Sequence, residues 1–398
     1  MSIPEHRFLR SRGLRSVAAV LAVLAVGAAA CSSSKTTDKG QAANRKAKVG
    51  ESLKGVCPST VVVQTNWVPQ AEDGYLFRLL GKDISVDAAH KKVTAPLVAH
   101  GADTGVKLEI RSGGPANNYT PAIKVAYQDG SVTLAGGDMD QIIQFSKDTP
   151  MKAVFAPMDL SPVVLMWNKQ LHPNIHSIGD IGQDPNLKVR TFPGATYATY
   201  LVQTGVLKAN QIDPSYDGSP TAWLSDNGKE VQQGFITNEP YAYEHDIKQW
   251  MKPVGWALVG GNYKGSYKVY PETMNIRSDK ESQLAPCLER LTPDLQRSMV
   301  DYINDPKSTN ELIVNLTKQF NSFPYAQDQA DNAAKAMKTN NIVGNGPNKT
   351  LGDFDGPRVS DLFTHVLSAY ATQHVEVKQG LKAEDIYTNK YLDPNIGL

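Results

Sequence analysis

The chain has 398 residues, with 41 lysines and arginines against 40 aspartates and glutamates, 41% hydrophobic residues and 3 cysteines. Residues 1–30 hold four of the arginines and one glutamate, so the rest carries 37 basic against 39 acidic residues, a net charge near −2. That balance, with no basic stripe, gives no electrostatic drive toward nucleic acid and excludes it as the partner.

Arg7, Arg10, Arg12 and Arg15 form a positive segment ahead of the apolar run Val17 to Ala30. The run matches the core of a signal peptide and falls short of the roughly 20 residues needed to span a bilayer. It ends in Ala28-Ala29-Ala30-Cys31, which has the form of a lipobox. Small residues there admit a peptidase and Cys31 accepts a diacylglycerol; the alternative is ordinary secretory cleavage beside an incidental cysteine. Residues 1–30 are therefore read as a lipoprotein signal peptide, and residues 31–56, which lack apolar periodicity, as a flexible tether. About 25 such residues span on the order of 25–30 Å, enough to hold a domain clear of a membrane. No later segment approaches 18 uninterrupted apolar residues, so the body is expected to be soluble and extracytoplasmic, held to the cell membrane by the lipid.

Roughly 340 residues remain, too many for one ordinary core and comfortable for two lobes. Cys57 and Cys287 form an even pair in an oxidising compartment, and a disulfide between them is expected, two buried free thiols being the alternative. Val61-Val62-Val63-Gln64 reads as a buried strand, followed by Thr65-Asn66-Trp67-Val68-Pro69-Gln70 and a helix from about Ala71 to Leu80. Val106 to Ile110 is a second strand, closed by Arg111-Ser112-Gly113-Gly114-Pro115. Gly136-Gly137-Asp138-Met139-Asp140 leads into a helix that Asp138 or Asp140 can cap. Apolar stretches follow at Met151–Ala156 and Val163–Trp167. Further strands are expected at Leu187–Phe192, Gly234–Thr237 and Val254–Val259, with a helix from Thr196 to about Val206. From about Ser282 the pattern is helical: Pro293–Tyr302, Thr309–Phe320, Ala326–Met337 and Val359–Thr372. There is no internal repeat, and the alternation argues for α/β with largely parallel sheets.

Several segments together resemble the NMT1/THI5-like, SsuA/TauA/nitrate-type periplasmic binding proteins of ABC importers. They are Asn66-Trp67-Val68-Pro69-Gln70-Ala71-Glu72, Gly113-Gly114, Gly137-Asp138-Met139-Asp140, Thr191-Phe192-Pro193-Gly194-Ala195-Thr196 and Gln232-Gln233-Gly234-Phe235-Ile236-Thr237-Asn238-Glu239-Pro240. The match covers about residues 58–275, and no single motif is diagnostic. The resemblance implies a two-lobe, type II periplasmic-binding-protein fold with two hinge crossings, near Phe155–Val163 and Trp256–Tyr263, and a helical C-terminal extension. Lobe one would hold residues 57–155 and the return in 262–398; lobe two would hold 162–255. It also implies a monomer that captures a small-molecule ligand and docks on ABC permease and ATPase subunits, with the lipidated N-terminus in the membrane.

Ligands of such folds sit beyond the carboxyl ends of the strands. The matching loops there offer Asn66, Trp67, Gln70, Glu72, Tyr75, Gly113, Gly114, Asp138, Met139, Asp140 and Asp159 from lobe one. Lobe two offers Thr196, Tyr197, Tyr200, Asn238, Glu239 and Tyr241. Each has a plainer reading: Trp67 as core, Asp138, Asp140 and Thr196 as helix caps, Tyr197 and Tyr200 as packing. Aromatic faces and carboxylates predominate, with only Arg78, Arg111 and Arg190 nearby in sequence. That inventory favours a neutral or cationic N-heterocycle, thiamine-pyrimidine-like, over a sulfonate, taurine or nitrate anion, which needs donors and positive charge.

No Gly-x-Ser-x-Gly, His-Glu-x-x-His, Walker A or Gly-x-Gly-x-x-Gly motif is present, and no cofactor or metal is implied. Pro173 argues against a metal-binding helix at His172 and His176. Some THI5-like relatives are pyridoxal-phosphate-dependent pyrimidine synthases, and an exported, anchored chain would be cut off from that cofactor. A lipoprotein that binds only other envelope proteins is the third class of function.

Overall fold

The computed structural model describes residues 49–398. Residues 1–48, including the segment read as a signal peptide, Cys31 read as lipid acceptor and residues 31–48 of the expected tether, lie outside them. Tether residues 49–56 pack against the body: Leu53 is fully buried, its N–H bonds Thr104 O at 2.8 Å, and the Gly50 N–H donates to Asp294 Oδ1 at 2.8 Å. Among the described residues no helix is long and apolar enough to cross a membrane.

The first sheet contains β1 (Thr60–Gln64), β2 (Ser85–Asp87), β3 (Lys92–Ala99), β4 (Ala102–Arg111), β5 (Leu134–Gly137) and β6 (Met151–Phe155). The second contains β7 (Val163–Asn168), β8 (Val189–Arg190), β9 (Ile212–Asp213), β10 (Val231–Phe235) and β11 (Val254–Leu258). The chain then returns to the first sheet as β12 (Thr273–Arg277). Strand order is β2-β3-β4-β1-β5-β12-β6 in one sheet and β11-β7-β10-β8-β9 in the other.

Both sheets are mixed, where the alternation predicts largely parallel ones. β1 runs parallel to β4 and β5, and β8 parallel to β9 and β10. β3–β4, β5–β12, β6–β12, β7–β10 and β7–β11 are antiparallel. The cause is local in the first case: His100 and Gly101 both have positive φ (47° and 83°), the backbone of a tight hairpin turn. In the other cases the strands flanking the two crossings between sheets enter against the direction of their neighbours.

Successive strand residues point to opposite faces. Val61 and Val63 join one hydrophobic core with Val164 and Met166; Val62 joins the other with Leu165 and Trp167. The β-branched run after Cys57 is buried on both sides for this reason.

The helices are α1 (Gly74–Arg78), α2 (Ala122–Gln128), α3 (Met139–Gln144), α4 (Ile178–Gln183), α5 (Thr196–Gln203), α6 (Thr221–Ser225) and α7 (Glu239–His245). The C-terminal part adds α8 (Glu281–Asn304), α9 (Lys307–Gln319), α10 (Gln327–Thr339) and α11 (Gly356–Thr372). α8 starts a dozen residues before the expected Pro293 and carries Pro286 and Pro293 inside it. Cys57 and Cys287 are disulfide-bonded, joining the approach to β1 to α8. The loop so closed is 230 residues long, for which chain entropy alone gives up to about 5 kcal/mol.

The first crossing runs from Phe155 to Val163, as expected. The second is longer: Trp256 lies within β11, and the chain re-enters the first sheet at Thr273 rather than near residue 262. The C-terminal helices touch elements of both sheets. α10 packs on α7 and on the 3-10 turn Ala71–Asp73, while α11 packs on α3 and α5.

Candidate functional site

The loop after β1 enters a 3-10 turn at Ala71, which places Glu72 and Asp73 side by side in the interior, 7% and 2% exposed. Two glycines make the loop possible. A Cβ on Gly113 would lie 2.3 Å from Thr65 O, and one on Gly114, whose φ is +57°, would lie 2.5 Å from the Trp67 ring. Trp67 is half-buried against Gly114, its ring 6.0 Å from that of the exposed Tyr119. From β5, Asp138 and Asp140 bracket the start of α3. Neither caps it through its side chain, as expected of one of them: Asp138 Oδ1 instead accepts the Glu272 N–H at 2.9 Å, and Asp140 Oδ2 accepts the Tyr267 hydroxyl at 2.8 Å.

Glu272 belongs to the second crossing and has φ +48°, in the left-handed region, which a non-glycine residue holds only when its surroundings enforce it. Gln70 Nε2 reaches its Oε1 at 3.5 Å, and Asn66 adds a side-chain hydrogen bond. From the second sheet, Glu239 is the first residue of α7. Its Oε2 accepts the Phe235 N–H at 2.7 Å and its Oε1 the Tyr216 hydroxyl at 3.0 Å. Thr237, two residues earlier, lies beside Glu72.

Six carboxyl groups from both sheets and a crossing therefore share one interior: Glu72, Asp73, Asp138, Asp140, Glu239 and Glu272. Among the described residues no lysine, arginine or histidine forms an ion pair with any of them. Burial raises all six above the usual carboxylate range. Asp73 is pushed up to about 8, with the charge of Glu72 adding to burial, and Asp138 to about 7, with Asp140 adding. Glu272 is raised further by Asp73, Glu72 and Asp138, and Glu239 by Glu72. Asp73 Oδ2, Asp140 Oδ1, Glu272 Oε2 and Tyr75 Oη are shut off from solvent without a hydrogen-bond partner among the described residues. Unpaired buried acceptors of this kind are costly and call for an occupant.

A stability consequence follows. A carboxyl whose folded pKa is raised binds more protons folded than unfolded, so its contribution falls as pH rises from about 4 to 8. The ligand-free protein is expected to melt several degrees lower at pH 8 than at pH 5.5; a midpoint that rises across this interval would show that these groups ionise freely.

The other sequence-predicted residues divide. Tyr75 is fully buried behind Asp73, its ring 5.6 Å from Phe155. Thr196 is the first residue of α5, not its cap (Ala195 holds that position), and its hydroxyl lies near Asp140 and 3.4 Å from the Tyr370 hydroxyl. Tyr197 is engaged elsewhere, donating to Gln233 at 2.8 Å. Tyr200 packs on Tyr267 and His365, and Tyr241 donates to Asp328 at 3.0 Å. Asn238 accepts from Gln329 of α10. Asp159 is committed to Arg358 at 2.7 Å. Arg111 pairs with Glu109 and Asp129, Arg190 with Asp226, and Arg78 with Asp305, so the three nearby bases are all engaged. Asp73, Thr237, Tyr267 and Glu272 were not legible as site residues from the sequence. Of these, only Asp73 had a signal, its place directly after Glu72. Beside the cluster, a cavity of about 1120 Å³ lies between α7 and the α9–α10 segment; Glu239, Tyr243, Glu311 and Tyr325 are among its lining residues.

No protein-family model matches the sequence, and no curated protein matches it. Solved structures do. The periplasmic aliphatic sulphonate binding protein SsuA from Escherichia coli is 12% identical over 82% of this chain and 94% of its own, with a TM-score of 0.51. A periplasmic sulfonate-binding protein SsuA from Methylobacillus flagellatus is 11% identical over 84% and 93%, with a TM-score of 0.52. The alkanesulfonate-binding protein SsuA from Xanthomonas axonopodis pv. citri, bound to MOPS, is 11% identical over 83% and 99%, with a TM-score of 0.50. At such identities the likeness speaks to architecture, and with the two sheets and paired crossings it gives the conclusion: this chain has the two-lobe periplasmic-binding-protein fold with a helical C-terminal region.

Proposed function

We propose that this chain is the extracytoplasmic solute-binding component of an ABC importer and that it captures a small organic cation between its two lobes. On this reading Cys31 carries the lipid anchor, the protein acts as a monomer, and permease and ATPase subunits receive the ligand. The observation that carries the cation is the set of buried carboxylates without counter-charge, contributed by both sheets. A ligand that contacts both lobes binds the closed state better than the open one and shifts the population toward closure.

An anion such as a sulfonate needs donors and positive charge, and the three arginines near the matching loops are spent on other carboxylates. The stacking part of the N-heterocycle reading rests on Trp67 and Tyr119 alone, because Tyr197, Tyr200 and Tyr241 are engaged elsewhere.

The test is calorimetry of the purified protein with organic cations (thiamine, choline, putrescine) against taurine and nitrate. Cations are expected to bind, and Glu72→Gln or Glu239→Gln to weaken them at least tenfold, about 1.4 kcal/mol. Binding of taurine or nitrate with no response to any cation would reverse the assignment.

A further inference from the structure

The six carboxyl groups form a connected run of neighbours. Glu239 at the start of α7 interacts with Glu72; Glu72 adjoins Asp73; both interact with Glu272. The Glu272 N–H binds Asp138, which interacts with Asp140 at the start of α3. The sequence of neighbours runs from a helix of the second sheet, past the second crossing, to a helix of the first. The unpartnered oxygens lie along it: Asp73 Oδ2 and Tyr75 Oη beside Glu72, Glu272 Oε2 at the crossing and Asp140 Oδ1 at the α3 end. Tyr75, 0% exposed, is not an acid, so the unpaired polar atoms are not confined to the carboxyl groups. Among the described residues no group of His, Cys, Asp and Glu is arranged to hold a metal ion.

A single ammonium offers at most three donors at one point. It can neutralise one or two of these carboxylates and leaves the remainder buried and unpaired. A chain carrying several positive groups, with methylenes between them, matches several acceptor positions at once. Glu239, at one end of the run, also lines the adjoining cavity of about 1120 Å³.

We propose that the ligand is an extended aliphatic polycation, a diamine or polyamine, lying along the file from Glu239 to Asp140. This rests on the cation reading above and narrows it. Under it, Glu239 and Asp140 act on different ends of one molecule.

The experiment is calorimetry with butylamine, putrescine, cadaverine and spermidine, each compared with taurine, on the parent protein and on Glu239→Gln and Asp140→Asn. Affinity is expected to rise at least a hundredfold from butylamine to the best diamine or triamine. Each end variant is expected to weaken spermidine at least tenfold while keeping the parent melting temperature to within a few degrees. Equal affinity for butylamine and spermidine would overturn the polycation while leaving the cation assignment standing. Full spermidine affinity in either end variant would overturn the extended pose. Should an end variant fail to fold, the amine series on the parent protein decides alone. Binding of taurine and of no amine would overturn both readings.

Discussion

Between pH 6 and pH 8 the affinity for an organic cation is expected to rise by about two orders of magnitude, with release of protons on binding. Asp73 titrates at about 8 and Asp138 at about 7 in the ligand-free protein, chiefly because burial disfavours their charged forms. Neighbouring carboxyls deepen the effect: Glu72 on Asp73 and Asp140 on Asp138. Glu72, Glu272 and the Tyr75 hydroxyl stand against Asp73, and Asp140, Glu272, Tyr267 and Tyr370 against Asp138. At pH 6 both carboxyls hold their protons, and a cation must displace them. At pH 8 both carboxyls hold their protons less firmly, so a cation displaces them at lower cost.

The sign separates ligand classes. An anion would bind better as pH falls through this range, and a neutral ligand that accepts from the protonated acids would do the same. Calorimetry in two buffers of different ionisation enthalpy reads the proton release directly. A flat or falling affinity between pH 6 and 8 would remove the carboxylates from the binding step.

Parts of this architecture can be read directly from the chain. Val61-Val62-Val63, apolar at consecutive positions, can only be a strand covered on both faces, and it is. The Cys57–Cys287 bridge is expected from an even pair in a chain read as exported. β3 escaped notice although its burial alternates along its whole length, because Pro96 interrupts the run and the pattern is read through it. Its turn, His100-Gly101, is a hairpin signal only once both residues are known to have positive φ.

For the site, Glu72, Asp138, Asp140 and Glu239 all stood out in the loops that match the resemblance. Glu272 did not. It enters the cluster through a non-local path, the second crossing, and a backbone conformation its residue type does not advertise. The aromatic residues failed for a related reason. Periodicity places Tyr197 and Tyr200 on one side of α5, but what covers that side is Gln233 from β10 and His365 from the far end of the chain. A one-dimensional pattern cannot supply those neighbours.

Replacing Arg358 by alanine is expected to cost about 3–5 kcal/mol, the range for removing one partner of a buried ion pair. The reason lies in where its guanidinium sits. From α11, Nη1 donates to Asp159 Oδ1 at 2.7 Å and Nη2 to the Asp159 carbonyl at 2.5 Å, both on the first crossing. Nε donates to Lys268 O at 2.8 Å and Nη2 to Val269 O at 3.1 Å, both on the second. The group also lies over the Tyr270 ring, 3.8 Å from its centroid. One side chain of the C-terminal region thus ties together the two segments about which the lobes would turn. Arg358 and Asp159 are only 12% and 17% exposed, so solvent screening is modest and Asp159 is left without its partner in the variant.

For a body of this size the loss corresponds to a melting temperature lower by roughly 5 °C. Arg358→Lys is expected to recover less than half of it, because an ammonium cannot address carbonyls on two segments with a planar fork. Loosening the crossings is also expected to increase the radius of gyration of the ligand-free protein in small-angle scattering, as the lobes sample wider separations, and to restore the parent value when a cation closes them. A variant that melts within about 1 °C of the parent and scatters identically would show that the two crossings hold their course without the guanidinium, and that the C-terminal region braces the lobes only through α10 and the α5 face of α11.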